Sequence, residues 1–143
     1  MHQRSAFAAS LMQRAYARLH ELGYAHSVEV WDAGTLAGGL YGVALGRVFF
    51  GESMFSRLRD ASKVALVHLV AETRARGLEL IDCQVQSQHL ASLGSRAIPR
   101  RDFLSLIAGL CAEDRPGSWT TRSESRSRRA ARARGSRWRG RVR

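Results

Sequence analysis

Cysteine and proline occur only twice each in this chain of 143 residues, and no long apolar run is present. Cys83 falls in a strand-like run and Cys111 in a helix-like one, each without a second Cys close by. Zinc-ligand spacing is therefore lacking, and both read as reduced, buried thiols. No stretch approaches the roughly 18 consecutive apolar residues that a membrane helix requires, and the N-terminus lacks the apolar core of a secretory signal. A cytoplasmic protein with no membrane partner is expected. Acidic residues are scarce at one end only: residues 115–143 hold eleven Arg and one Glu, a net +10 of the chain's +11, which leaves +1 for residues 1–114.

What is present divides at about residue 113. Residues 1–113 carry apolar periodicity enough for one domain. Residues 114–143 are Arg, Ser, Ala and Gly with isolated Trp119 and Trp138, and give no pattern from which a core is built. Disorder is expected there. So basic a stretch binds nucleic acid or anionic lipid non-specifically. Arg-Ser and Arg-Gly runs also arise when a GC-rich gene is read out of frame, and a solvated tail without a role is a third alternative.

In chain order, Phe7, Leu11, Ala15, Leu19 and Leu22 recur at helical spacing over 6–22, with Ser5 as a cap and Gly23 as a left-handed stop. Ser27–Trp31 alternates as a strand and Asp32-Ala33-Gly34 turns it. Thr35–Leu45 returns, interrupted by Gly38, Gly39 and Gly42, which mark a bulge or a close backbone approach. This glycine cluster lies inside a strand and not between strand and helix, so it does not read as a phosphate loop. After Gly46-Arg47, Val48–Glu52 completes three antiparallel strands. A helix from Asp60 or Ser62 to Arg76 is apolar nearly all round and is expected to be buried. His68 within it reads as a core residue and not as a metal ligand. A strand over Leu78–Val85, a short helix through Gln88–Leu93 and a last helix over Asp102–Cys111 follow.

Two stretches combine polar groups with buried strand ends. In Val48-Phe49-Phe50-Gly51-Glu52-Ser53-Met54-Phe55-Ser56 a carboxylate emerges from an apolar run, with a helix start expected next. In Ile81-Asp82-Cys83-Gln84, strand alternation would send Asp82 and Gln84 to one face, roughly 6.6 Å apart at about 3.3 Å per residue.

Ala15-Tyr16-Ala17-Arg18-Leu19-His20, Ala25–Trp31, Gly38-Gly39-Leu40-Tyr41-Gly42, Phe50–Ser56, Ala61-Ser62-Lys63, Ile81–Gln84, His89–Gly94 and Ile98-Pro99-Arg100-Arg101 closely resemble the leucyl/phenylalanyl-tRNA-protein transferase family. The resemblance runs from about Ala15 to Leu110. It implies transfer of leucine, phenylalanine or methionine from aminoacyl-tRNA to proteins beginning with Arg or Lys, marking them for degradation, with no metal or dissociable cofactor. Family members are longer: an N-terminal domain with a tryptophan-containing segment and the family's final segment are expected to be missing here. Phe7 stands about where the family has a functional tryptophan.

The resemblance assigns a catalytic pairing to Asp82 and Gln84 and a functional role to Glu52. It assigns an aminoacyl pocket to Leu40, Phe49, Leu69 and Ile81, and a place near the tRNA end to Tyr16. Read without it, the four apolar residues are core, Tyr16 is a half-buried tyrosine, and Glu52 is tied to a backbone amine or to Arg57. The implied fold is α+β, a GNAT-like acyltransferase domain with a mixed, mostly antiparallel sheet flanked by helices. A rival is an acetyl-CoA-dependent N-acetyltransferase, but Ser53–Asp60 lacks the glycines that bring backbone N–H groups to a pyrophosphate. The other rival is an inactive fragment binding RNA through its basic tail.

Overall fold

The computed structural model describes residues 2–113, Gly117, Trp119 and 139–142, with side chains described from Leu11 onward and not in 139–142. The chain runs α1 (His2–Glu21), β1 (Ala25–Asp32), β2 (Thr35–Leu45), β3 (Val48–Ser56), α2 (Ala61–Ala75), β4 (Leu80–Asp82), α3 (Gln88–Ser92), α4 (Arg100–Leu110) and β5 (Arg139–Val142). Together they make an α+β fold around one mixed sheet of order β4-β3-β2-β1-β5. All neighbouring pairs are antiparallel except β3 and β4. No helix among the described residues is long and apolar enough to cross a membrane.

α1 begins before the expected start, so Ser5 lies inside it and not at its cap. Its stop is the expected one. Gly23 has φ 82°, its N–H donating to the His20 carbonyl while the Tyr24 N–H donates to that of Leu19; glycine takes that left-handed turn without a Cβ penalty. Ala33 and Gly34, with φ 46° and 84°, close the β1–β2 hairpin with the two positive φ values that a type I′ turn requires.

α2 meets the sheet along Ala61, Ala65, Leu69 and Thr73, one residue every four. Its small residues let the backbones approach: a Cβ on Gly38 would stand 2.7 Å from that of Ala61. The expectation of burial all round fails: this stripe is buried, Val64 and Leu66 beside it are only partly buried, and Val67 on the outer side is 66% exposed. Asp60 occupies the N-cap position but does not cap. It sits at φ 64° with its carboxylate 2.7 Å from Lys63 Nζ, and Ser56 Oγ instead accepts from the Ser62 N–H.

β3 continues through Ser56, past the expected strand end at Glu52. Residues 53–56 pair with Tyr41 back to Gly38 on β2, and Met54 packs on the core opposite Leu40. β4, by contrast, is shorter than the expected Leu78–Val85, ending at Asp82 where it has paired only with Val48–Phe50.

Two register shifts shape the sheet. Trp31 pairs with Leu36 and Val30 with Gly38, so Ala37 is the extra residue on β2. Ser53 pairs with Tyr41 and Gly51 with Gly42, so Glu52 is the extra residue on β3. An extra residue changes which face the following side chains take. Phe49 and Met54 differ in strand parity, yet both pack on the core as a result.

The expected disorder of 114–143, and the boundary drawn at 113, concern a stretch that, Trp138 included, lies mostly outside the described residues. Where it is described it departs from that expectation. Trp119 is a core residue, 4% exposed, and Arg139–Val142 pairs with β1. An indole carries enough apolar area to anchor a segment by itself.

Candidate active site

β3 and β4 run side by side only as far as Phe50 and Asp82. Beyond that point β3 follows β2 while the chain after Asp82 turns away, and a cavity of about 300 Å³ opens between them. Such a crevice at the carboxyl ends of parallel strands is a common place for ligands in α/β sheets. Its floor is apolar: Leu40 from β2, Phe49 and Met54 from β3, Leu66 and Leu69 from α2, Ile81 from β4 and Leu90 from α3. Ser87 holds that end, accepting the Leu90 N–H at 3.1 Å as the cap of α3. Leu40, Phe49, Leu69 and Ile81, the four residues of the expected pocket, thus line one cavity.

Glu52 and Asp82 line the same cavity. Glu52 reaches it because it is the extra residue of β3, a position at which a strand re-aims a side chain. Gln84 arrives differently from the strand alternation expected for it. β4 has ended, Gln84 takes φ 58°, and its backbone N–H donates to Asp82 Oδ1 at 2.9 Å. Aspartate closes such turns two residues on through its own side chain. The turn swings Gln84 toward β3, where Nε2 donates to Glu52 Oε1 at 3.4 Å. The amide therefore meets the carboxylate of Glu52, while Asp82 holds the amide's backbone. A non-glycine residue in the left-handed region costs about 1–3 kcal/mol and clusters at functional sites.

Tyr16 stands beside this group and outside the cavity wall. Its ring meets Tyr41 edge-on, with centroids 5.2 Å apart at 80°, and Tyr41 lines the cavity. Burial, then the adjacent Glu52 carboxylate, raises the Tyr16 phenol, which keeps it a donor at neutral pH. Glu52 is not tied to Arg57, whose guanidinium lies over the Phe55 ring at 5.8 Å.

Cys83 lines the cavity as a free, half-buried thiol, which burial and then Asp82 hold protonated. Cys111, also free and half-buried, points its thiol at the Leu45 carbonyl, 3.7 Å away. His68 is half-buried, its pKa lowered by burial, so it is neutral at physiological pH. Among the described residues no group of three His, Cys, Asp or Glu is placed to hold a metal ion.

Sequence reasoning did not assign Tyr41, Met54, Leu66, Ser87 or Leu90 to the cavity, nor Trp119 to the core behind it. The bulge at Glu52, which turns Met54 toward the core, leaves no compositional mark. Trp119 had a signal, a lone tryptophan in an otherwise polar stretch.

A family model described as leucyl/phenylalanyl-tRNA protein transferase matches residues 2–108. Curated relatives bearing that name include one from Syntrophobacter fumaroxidans, 67% identical over 97 residues, covering 68% of this chain and 42% of the relative. One from Aromatoleum aromaticum is 59% identical over 110 residues, covering 76% and 46%. A third, from Nitrosospira multiformis, is 66% identical over 89 residues, covering 62% and 38%. The chain spans less than half the length of each of these relatives.

Proposed function

The chain belongs to the leucyl/phenylalanyl-tRNA protein transferase family, and on that premise we propose that its cavity is an aminoacyl-transfer site. It takes leucine, phenylalanine or methionine from aminoacyl-tRNA and joins it to proteins beginning with Arg or Lys, tagging them for degradation in the cytoplasm. The supporting observation is the cavity's division: an apolar floor of Leu40, Phe49, Leu69 and Ile81 beneath a rim with Glu52 and Asp82, the Gln84 amide hydrogen-bonded to Glu52 beside it. The floor accepts an unbranched, branched or aromatic apolar side chain. The rim handles an amine and an ester. The order of one helix, three antiparallel strands, a helix and a parallel strand supports a GNAT-like reading of the fold.

In the reaction the acceptor's α-amino nitrogen attacks the ester carbonyl carbon, a C–N bond forms, and the bond to the ribose oxygen breaks. The proton lost by the amine ends on that ribose oxygen. An α-amino group has an ordinary pKa of about 7.7–8.0, so much of it is already free base near neutrality. Orientation and one proton transfer suffice. Gln84 donates through Nε2 to Glu52, which draws electron density toward its carbonyl oxygen and makes that oxygen a better acceptor for the attacking N–H. Asp82 fixes the turn that presents Gln84. It also leaves a second carboxylate at the rim, suited to the cationic side chain of an N-terminal Arg or Lys. Tyr16, donating toward Glu52, is assigned the contact to the tRNA end.

A second reading, an RNA-binding fragment without transfer activity, rests on the net +10 of residues 115–143. The acetyl-CoA reading has less support: Ser53–Ser56 is strand, and the turn into α2 ends on the Asp60 carboxylate, which repels a pyrophosphate. The test is side-chain selectivity, comparing transfer from leucyl-, phenylalanyl-, methionyl- and aspartyl-tRNA to an Arg-initiated peptide. Transfer of the first three and not the fourth is expected. Equal transfer of all four would exclude the apolar floor as the aminoacyl pocket, and RNA binding with no transfer would favour the second reading.

A further inference from the structure

We infer that Trp119 sets the depth of the cavity by holding the Phe49 ring forward, and so governs which side chains the cavity admits; this rests on the aminoacyl-pocket reading. Phe49 is fully buried and lines the cavity. The Trp119 indole lies 5.5 Å from it, centroid to centroid, tilted by 34°. Trp119 does not itself line the cavity, and it packs against the Phe49 ring within the core.

The indole is fixed from further sides. His26 stacks on it at 4.2 Å and 10°, and the Arg76 guanidinium lies 5.2 Å from its centroid. His26 is anchored by Nε2 to the Gly23 carbonyl at 3.1 Å, and Arg76 by Glu72 at 3.3 Å. Gly42 closes the Phe49 ring from its edge, since a Cβ there would stand 2.7 Å from Cε1 and Cζ. The ring is thus confined on the sides away from the cavity. Close packing transmits such a constraint, because a side chain so held retreats only if its backing is removed. Trp119 itself touches no substrate and is a positioning residue.

The experiment compares wild type with Trp119→Phe and Trp119→Ala in two readouts. One is the binding of leucinamide and 2-naphthylalaninamide, followed by ligand-observed NMR. The other is the ratio of naphthylalanyl to leucyl transfer from the corresponding tRNAs. A pocket discriminates one methylene by roughly 10–200-fold. Trp119→Ala should therefore raise the naphthylalanine-to-leucine ratio by about tenfold or more, with Trp119→Phe between it and wild type. In a Phe49→Ala background the Trp119 substitutions should leave the ratio unmoved. An unchanged ratio in folded Trp119→Phe or Trp119→Ala overturns the inference and leaves Trp119 a core residue only. Should Trp119→Ala not fold, Trp119→Phe and Trp119→Leu supply the graded series. If wild type transfers nothing but the binding ratio shifts as stated, the transfer reading fails while the depth role stands.

Discussion

At the residue level the proposed transfer mechanism gives three polar side chains separable tasks. Glu52→Gln keeps the shape of the Gln84 contact but removes the charge that polarises the amide. Its transfer rate is expected to fall by about 10²–10⁴-fold, the range of general acid–base contributions, with thermal stability little changed, in a single-turnover assay. Asp82→Ala should cost more than Asp82→Asn, because an amide oxygen still accepts the Gln84 N–H while alanine frees the left-handed turn. Equal losses from the two would mean that charge alone is the contribution of Asp82. His26, 3% exposed, with Nδ1 lacking a hydrogen-bond partner, has its pKa lowered to about 4, burial being the largest cause. The unfolded chain takes up the proton near 6.5 and the folded one resists it down to about 4, so stability is complete above pH 6.5 and falls as pH drops between the two. The integrated loss is about 3 kcal/mol. His26→Phe should flatten that slope in melts run across the window, leaving the smaller same-signed contribution of His68.

At the level of elements, the sequence made the kinds of structure plain and hid their joints. The hairpin turn at Ala33-Gly34, the stop at Gly23 and the close approaches at Gly38 and Gly42 were legible, because a positive φ or a missing Cβ restricts which residues serve. The bulge at Glu52 was not legible, since it arises from the register of β3 against β2 and not from composition. The end of β4 at Asp82 escaped for a related reason. Alternation in Ile81–Val85 reads as strand, yet the Asp82 side chain captures a backbone N–H and turns the chain. The proposed transfer site lies where these two departures from regular structure meet, through the Gln84–Glu52 hydrogen bond. Gly42→Ala tests the packing: the new Cβ meets the Phe50 carbonyl and the Phe49 ring. It should destabilise by about 1–3 kcal/mol, as overpacking does, measured by denaturant titration.

At the level of the whole molecule, charge and core overlap in sequence. Residues 115–143 carry the net +10, yet Trp119 belongs to the core and 139–142 to the sheet. Deleting the segment would therefore remove folding interactions together with charge. Replacing Arg122, Arg126, Arg128, Arg129, Arg132, Arg134 and Arg137 by Gln separates the two, and should flatten the salt dependence of tRNA binding by up to about 0.7 for each phosphate no longer neutralised. An unchanged slope would locate the electrostatic footprint elsewhere. Whether the cavity with Glu52, Asp82 and Gln84 performs aminoacyl transfer is decided by following labelled leucine from leucyl-tRNA onto a peptide beginning with Arg. The wild-type chain should transfer it, more slowly than a full-length relative, and Glu52→Gln should reduce that rate at least about 10²-fold. A folded wild-type chain that transfers nothing, or a Glu52→Gln chain that transfers at the wild-type rate, would contradict this assignment.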